Sequence, residues 1–329
     1  MALSLSDLQP QVPPALHNLP YKLEVKEPVS RQDAAEFFSS NREQILKLVS
    51  EKGAILIRGL GQYDVEANQS LLKALGLEDV INYKGGGSVD RSSVSKDINT
   101  VTPFPKWWPI TLHNELAYTD QFPRYMCFFC KTPAAEGGAT SLGDGAKIYK
   151  LMPENVIENL ETKGVMYKRF MYNTEQKVKA GFRKSWQETF LTEDKKQVEQ
   201  ELEKTGTEYE WKSDGLYTRL KRPAFHTHPL TGEPVWFNHI QTFERPRPLV
   251  RLASKGMFKF RDVGACYGDG SKIPLSDIRK IHQVLRDNTI NEPWQPDEIL
   301  LVDNIACMHG RAAFKGEREV TVGMFSPQS

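Results

Sequence analysis

The chain has 329 residues, and Lys+Arg 43 against Asp+Glu 42 leaves a formal net charge of +1. That balance argues against a strong electrostatic grip on nucleic acid or on an anionic membrane, both of which need clustered cationic excess. Apolar residues make up 39% and charged residues 26%, the profile of a globular chain that can bury a core without disulfide or metal staples.

The longest apolar runs, Ala54–Ile57 and Tyr125–Cys130, fall far short of the ~20 residues a membrane-spanning helix needs. The first residues lack a basic n-region, carry Asp7 and are interrupted by Pro10, Pro13 and Pro14, which is not a secretory signal. No Arg precedes Arg31, which speaks against a transit peptide, so a cytoplasmic protein is expected.

Residues 1–29 read as an irregular, Pro-rich segment, followed by one domain over 30–329. Ser30 is placed to cap a helix carrying Ala34, Ala35, Phe37 and Phe38, with a second helical stretch around Ile45, Leu46 and Val49. Gly53–Gly59 encloses a short buried strand, and Val65–Leu75 reads as a helix stopped by Gly76. Residues 82–108, with Gly85–Gly87 and Arg91, read as a long loop and a candidate lid.

Beyond residue 109 the pattern predicts strands over 109–116, 124–131, 164–170, 216–221, 234–241, 298–303 and 318–325. A charged helical insertion is expected around 185–204. Ser276 is expected to cap a helix over 277–287 with the stripe Ile278, Ile281 and Leu285. Many short strands with interspersed turns predict a mainly β fold with flanking helices.

Cys127 and Cys130 form a C-x-x-C. On a strand, an offset of three sends the two sulfurs to opposite faces, and no second pair completes a zinc site, so packing is expected instead.

The chemistry-bearing residues are few. Among seven histidines only His113-Asn114-Glu115 is a His-x-Asp/Glu, and chance alone supplies roughly one such tripeptide. On a strand, residues two apart share a face, so an imidazole and a carboxylate can meet one metal ion. A third ligand from another strand completes a two-His, one-carboxylate triad that leaves three positions of an octahedral Fe(II) open. His309 lies in Leu300–Arg311, where an apolar strand runs into a polar turn and then His-Gly-Arg, with Gly310 permitting close backbone approach. Arg318 starts a further strand-like run, and its planar fork suits a carboxylate. Glu136-Gly137-Gly138-Ala139-Thr140 leads a turn into a hydroxyl residue that could donate to the same carboxylate. His226-Thr227-His228, bracketed by Pro223 and Pro229, and His239 in an aromatic stretch read as structural.

In this order, Gly53–Gly59, Leu112–Glu115, Gly137–Thr140 and His309–Arg311 with Arg318 resemble the Fe(II)/2-oxoglutarate-dependent dioxygenases of the taurine dioxygenase and clavaminate synthase family, in particular its clavaminate synthase-like members. The resemblance spans about residues 50–326. It implies a double-stranded β-helix, or jelly roll, with His113, Glu115 and His309 as the catalytic Fe(II) ligands. Thr140 and Arg318 would hold the distal carboxylate of the cosubstrate 2-oxoglutarate. The family converts 2-oxoglutarate to succinate and CO2 while dioxygen oxidises, and usually hydroxylates, a small molecule. Glu115 stands where Asp is commoner in the wider family, as in clavaminate synthase-like members. Val322 stands where taurine dioxygenase has a sulfonate-binding arginine, so the substrate class is open. A zinc hydrolase using the same His/Glu/His set, or a non-catalytic binding barrel, is the alternative; the absence of H-E-x-x-H weighs against the first.

Overall fold

A computed structural model describes residues 8–10, 19–25, 29–61, 64–76, 99–100, 105–175, 184–244 and 264–326. Of the stretch 82–108 expected to form a loop, residues 82–98 and 101–104, with Gly85–Gly87 and Arg91, lie outside the described residues, and Asn99–Thr100 form a strand rather than loop. In chain order the first elements are β1 (Leu8–Pro10), β2 (Tyr21–Val25), α1 (Arg31–Ser40), α2 (Arg42–Lys52), β3 (Ala54–Arg58), α3 (Val65–Ala74) and β4 (Asn99–Thr100). There follow β5 (Ile110–His113), β6 (Tyr125–Thr132), β7 (Glu136–Gly137), β8 (Thr140–Asp144), α4 (Gly145–Leu151), α5 (Glu154–Lys163) and β9 (Val165–Tyr172). The middle of the chain gives α6 (Trp186–Phe190), α7 (Lys195–Lys204), β10 (Glu208–Lys212), β11 (Gly215–Arg222), β12 (Phe225–Thr227), β13 (Pro234–Trp236) and α8 (Ile240–Phe243). The last elements are β14 (Gly264–Tyr267), α9 (Leu275–Asp287), β15 (Ile290–Asn291), β16 (Glu298–Asp303), β17 (Cys307–Arg311), β18 (Phe314–Lys315) and β19 (Glu319–Phe325).

The fold is a jelly-roll arrangement of mainly β structure with flanking helices. A major sheet runs β1-β2-β3-β16-β6-β19-β4, and a minor sheet runs β15-β8-β17-β5. Alternation along β6 explains how they pack. Met126, Phe128 and Cys130 turn inward and meet Leu142 of β8 and Cys307 of β17. Cys127 and Phe129 turn outward and are covered by Phe37, Phe38, Ile45 and Val49 of α1 and α2 and Leu71 of α3. The two cysteines of the C-x-x-C therefore sit in different cores, as the offset of three requires. Among the described residues the strands do not close into a barrel.

Local signals account for several elements. Ser30 Oγ accepts from Asp33 N and caps α1. Gly59, at φ +80°, ends β3 where a Cβ would collide with the Val25 carbonyl oxygen. Ile278, Ile281 and Leu285 form the buried stripe of α9, each contributing about 1.5–3 kcal/mol on burial.

Other expectations are corrected. The stretch read as irregular contributes β2, which pairs in parallel with β3. The helical insertion at 185–204 is two helices: Leu191 turns left-handed at φ 52°, and Asp194 caps a new start. Its apolar face is not solvated, because Trp186, Phe190, Val198 and Leu202 pack on Met171 and Leu216 of a third sheet, β10-β11-β9-β14. Ser276 lies inside the first turn of α9, whose N-cap is Pro274. The strand expected over 234–241 stops at Trp236, because Asn238 Oδ1 accepts from Ile240 N and turns the chain into α8.

All four cysteines are buried and free of disulfides. Burial pushes the Cys127 and Cys130 thiols up to about 12. Ellman's reagent is expected to detect no thiol in the native protein and four after denaturation; fast native labelling would contradict the packing reading.

Candidate metal centre

The strand register brings the two histidines together. His309 of β17 lies directly opposite His113 of β5, and their ring centroids are 4.4 Å apart. As expected, an apolar strand, β16, runs into a turn at 304–306, and His309 follows it inside β17. Gly310 is required next to it: a Cβ there would collide with the Ile110 carbonyl oxygen, where the β5–β17 ladder shifts register.

Glu115 arrives by a different route from the one its spacing predicts. The strand expected over 109–116 ends at His113, so Glu115 does not share a strand face with it. The chain reverses through Leu116, buried and left-handed at φ 58°, a conformation that costs a β-carbon-bearing residue roughly 1–2 kcal/mol. This reversal swings the carboxylate back. Glu115 Oε2 lies 3.9 Å from His113 Nε2 and 3.6 Å from His309 Nε2. One donor atom from each of the three residues falls within 4.8 Å of the others, and no further cluster of this kind occurs among the described residues.

The donor set fits a divalent transition metal. His113 Nδ1 lies 2.9 Å from the Thr111 carbonyl oxygen and donates to it, which leaves the Nε2 lone pair facing Glu115. Burial above all, then the neighbouring His309 and His239 imidazoles, hold His113 well below the usual histidine range, so it is neutral and able to ligate at pH 7.

A cavity extends from the two histidines between the sheets to Thr140 and Arg318. Met126, Phe128 and Val322 form apolar walls, and none of the described residues that line it is acidic. Arg318 is held at its far end by Nε donating to the Gly138 carbonyl oxygen at 2.7 Å. Burial, and secondarily Arg311, push the Arg318 guanidinium down to about 10, which leaves it cationic at pH 7. Thr140 Oγ1 accepts from Trp294 Nε1 at 3.3 Å, so its own hydrogen can be donated into the cavity.

The structure also places residues without a sequence signal around Glu115. His239 Nε2 lies 2.5 Å from the Asn114 carbonyl oxygen, and its ring stands edge-on to His113 at 5.2 Å. Gln241 donates to the Leu112 carbonyl at 2.6 Å. The side chain of Asn304 grips Glu115 itself. Arg311 lines the cavity and ties down the preceding turn through the carbonyls of Pro105 and Trp108. His228 is structural: it bonds Asp303, which also pairs with Arg124. His226 packs between Phe122 and Phe237.

Comparisons with known proteins place the chain in a family. The dapdiamide synthesis protein DdaC of Enterobacter agglomerans is 32% identical over 322 residues, covering 96% of this chain and 94% of DdaC. A clavaminate synthase-like protein of Arabidopsis thaliana is 27% identical, covering 84% of this chain and 82% of its own. PvcB, an Fe, alpha-ketoglutarate dependent oxygenase from an isonitrile synthetic pathway, is 15% identical and superposes with a TM-score of 0.54 over 99% of this chain and 94% of its own. Residues 18–324 match the taurine catabolism dioxygenase TauD, TfdA family, and the chain belongs to that family.

Proposed function

We propose that His113, Glu115 and His309 hold Fe(II) and that Thr140 and Arg318 hold the distal carboxylate of 2-oxoglutarate. The chain is a non-haem Fe(II)- and 2-oxoglutarate-dependent oxygenase that uses dioxygen to oxidise a small molecule, with release of succinate and CO2. Hydroxylation is the proposed outcome. The observation that carries this reading is the cavity running from the histidine pair, with Glu115 beside it, to Arg318 and Thr140.

The bound iron supplies the oxidising chemistry; the chain supplies geometry and exclusion. His113 is fixed as the neutral tautomer by Thr111, and the turn at Leu116 aims Glu115. Arg318, anchored by Gly138, offers its remaining donors to a carboxylate through charge-assisted hydrogen bonds. Met126, Phe128 and Val322 give the space between the two ends apolar walls. With Val322 in the wall, this position offers no cation to a sulfonate. Two of the relatives are named for biosynthesis, of dapdiamide and of an isonitrile, which favours a small biosynthetic substrate here. No described helix is long and apolar enough to cross a membrane; a cytoplasmic location and a single domain, which β1 and β2 join ahead of the expected start at 30, belong to the same proposal.

The test is turnover of 2-oxoglutarate without added substrate. Slow Fe(II)-dependent decay with equimolar succinate is expected. Thr140→Val is expected to raise KM for 2-oxoglutarate about 10-fold, the loss of one hydrogen bond to a charged group. No Fe(II)-dependent decay, together with stoichiometric zinc in the purified protein, would favour a hydrolase.

A further inference from the structure

The carboxylate ligand sits where the sheet no longer supports it. β5 ends at His113, and the backbone of residues 114–116 is in a turn. Side chains from distant parts of the chain take over the role of the ladder. Asn304, fully buried in the turn between β16 and β17, pairs with the Glu115 backbone on both sides. Its Oδ1 accepts from Glu115 N at 2.7 Å, and its Nδ2 donates to the Glu115 carbonyl at 3.0 Å. The same Nδ2 donates to the Pro123 carbonyl at 2.9 Å, closing the loop that follows. In return, Asn114 Nδ2 donates to the Asn304 carbonyl at 2.7 Å. The Asn304 amide N–H donates to the Arg124 carbonyl at 2.9 Å, so the brace is itself anchored to the start of β6.

We infer that Asn304 is a positioning residue for the Glu115 carboxylate, setting metal affinity through the backbone of a ligand it does not share with the metal. The inference rests on the reading of Glu115 as a ligand. The reason is geometric: with one side chain bonding both the N–H and the C=O of Glu115, the peptide planes on either side of its Cα are fixed. The direction of the Cα–Cβ bond follows from those planes. Asn114–Glu115–Leu116 has no strand partner to do this, and the left-handed Leu116 needs an external constraint to hold it. Alanine at 304 keeps every backbone contact of the brace and removes only the side-chain grip.

The experiment titrates the whole protein with Co(II), read by calorimetry and by its visible spectrum, in a double-mutant cycle. Asn304→Ala is expected to weaken Co(II) by about 10- to 100-fold, the usual cost of losing support behind a metal ligand. Glu115→Ala is expected to weaken it at least as much. In the Glu115→Ala background, Asn304→Ala is expected to add no more than about a 2-fold loss, because its effect passes through the missing carboxylate. Thr189→Ala removes another buried hydrogen bond, inside α6, and is expected to lower Tm with Co(II) affinity unchanged. Equal losses in both backgrounds, or a Tm loss without an affinity loss, would overturn the inference. Glu115→Ala with wild-type affinity would instead overturn the ligand reading beneath it. Should Asn304→Ala not fold, Asn114→Ala tests the same brace: a smaller, Glu115-dependent loss supports it, and wild-type affinity counts against it.

Discussion

Replacing His113 or His309 with alanine is expected to lower turnover at least ~1000-fold, well beyond the 10–100-fold typical of residues that only support a ligand. The fold should survive. Both imidazoles face a cavity rather than a packed core, and removing one relieves the crowding of His113, His309 and His239. The same crowding gives a pH signature in the metal-free protein. His113 titrates well below 6.5 when folded, and His239 is held down to about 4, both chiefly by burial. The unfolded chain therefore binds more protons below pH 6.5, and stability falls as pH drops from 6.5 toward 4. His113→Ala should flatten that fall, measured as Tm against pH without metal. A variant that keeps turnover, or one whose Tm–pH slope is unchanged, would contradict the roles assigned to this cluster.

Arg318→Gln is the second large effect. Loss of a charge-assisted interaction at the far end of the cavity should weaken 2-oxoglutarate about 100-fold and leave Fe(II) affinity untouched. Arg318→Lys should recover only part of it. A lysine cannot both donate to the Gly138 carbonyl in the plane of the Arg318 fork and present two parallel donors to a carboxylate. Calorimetric titration of the Mn(II)-loaded protein with 2-oxoglutarate separates the two affinities. Equal losses of metal and cosubstrate binding would mean that Arg318 supports the fold rather than the cosubstrate.

Four strands of the major sheet, β3, β6, β16 and β19, were legible, because they carry their own signals. Leu300, Leu301 and Val302 form an unbroken apolar run, and Gly53 and Gly59 mark the ends of β3. α4 and α5 also carry local signals: Asp144 caps the first, and Val156 and Leu160 form the buried stripe of the second. The site was legible as a set of residue types. Of that set, His113, Thr140, His309 and Arg318 line one cavity, and Glu115 lies beside the two histidines. The reason Glu115 reaches the histidines was not legible. It depends on a left-handed Leu116, a residue type that rarely adopts that conformation. Nothing local marks Asn304, Gln241 or His239 as supports. Asn304 lies 189 residues from Glu115 and Gln241 lies 129 from Leu112, so their roles exist only once the sheets are assembled.

The most direct measurement is an anaerobic titration of metal-free protein with Fe(II) and then 2-oxoglutarate, followed in the visible range for the weak charge-transfer band of a chelated keto acid. The band should develop with one equivalent of each, be lost in His113→Ala and His309→Ala, and in Arg318→Gln require far more 2-oxoglutarate. Fe(II) binding without a band at saturating 2-oxoglutarate would contradict the assignment of this cavity as the cosubstrate site.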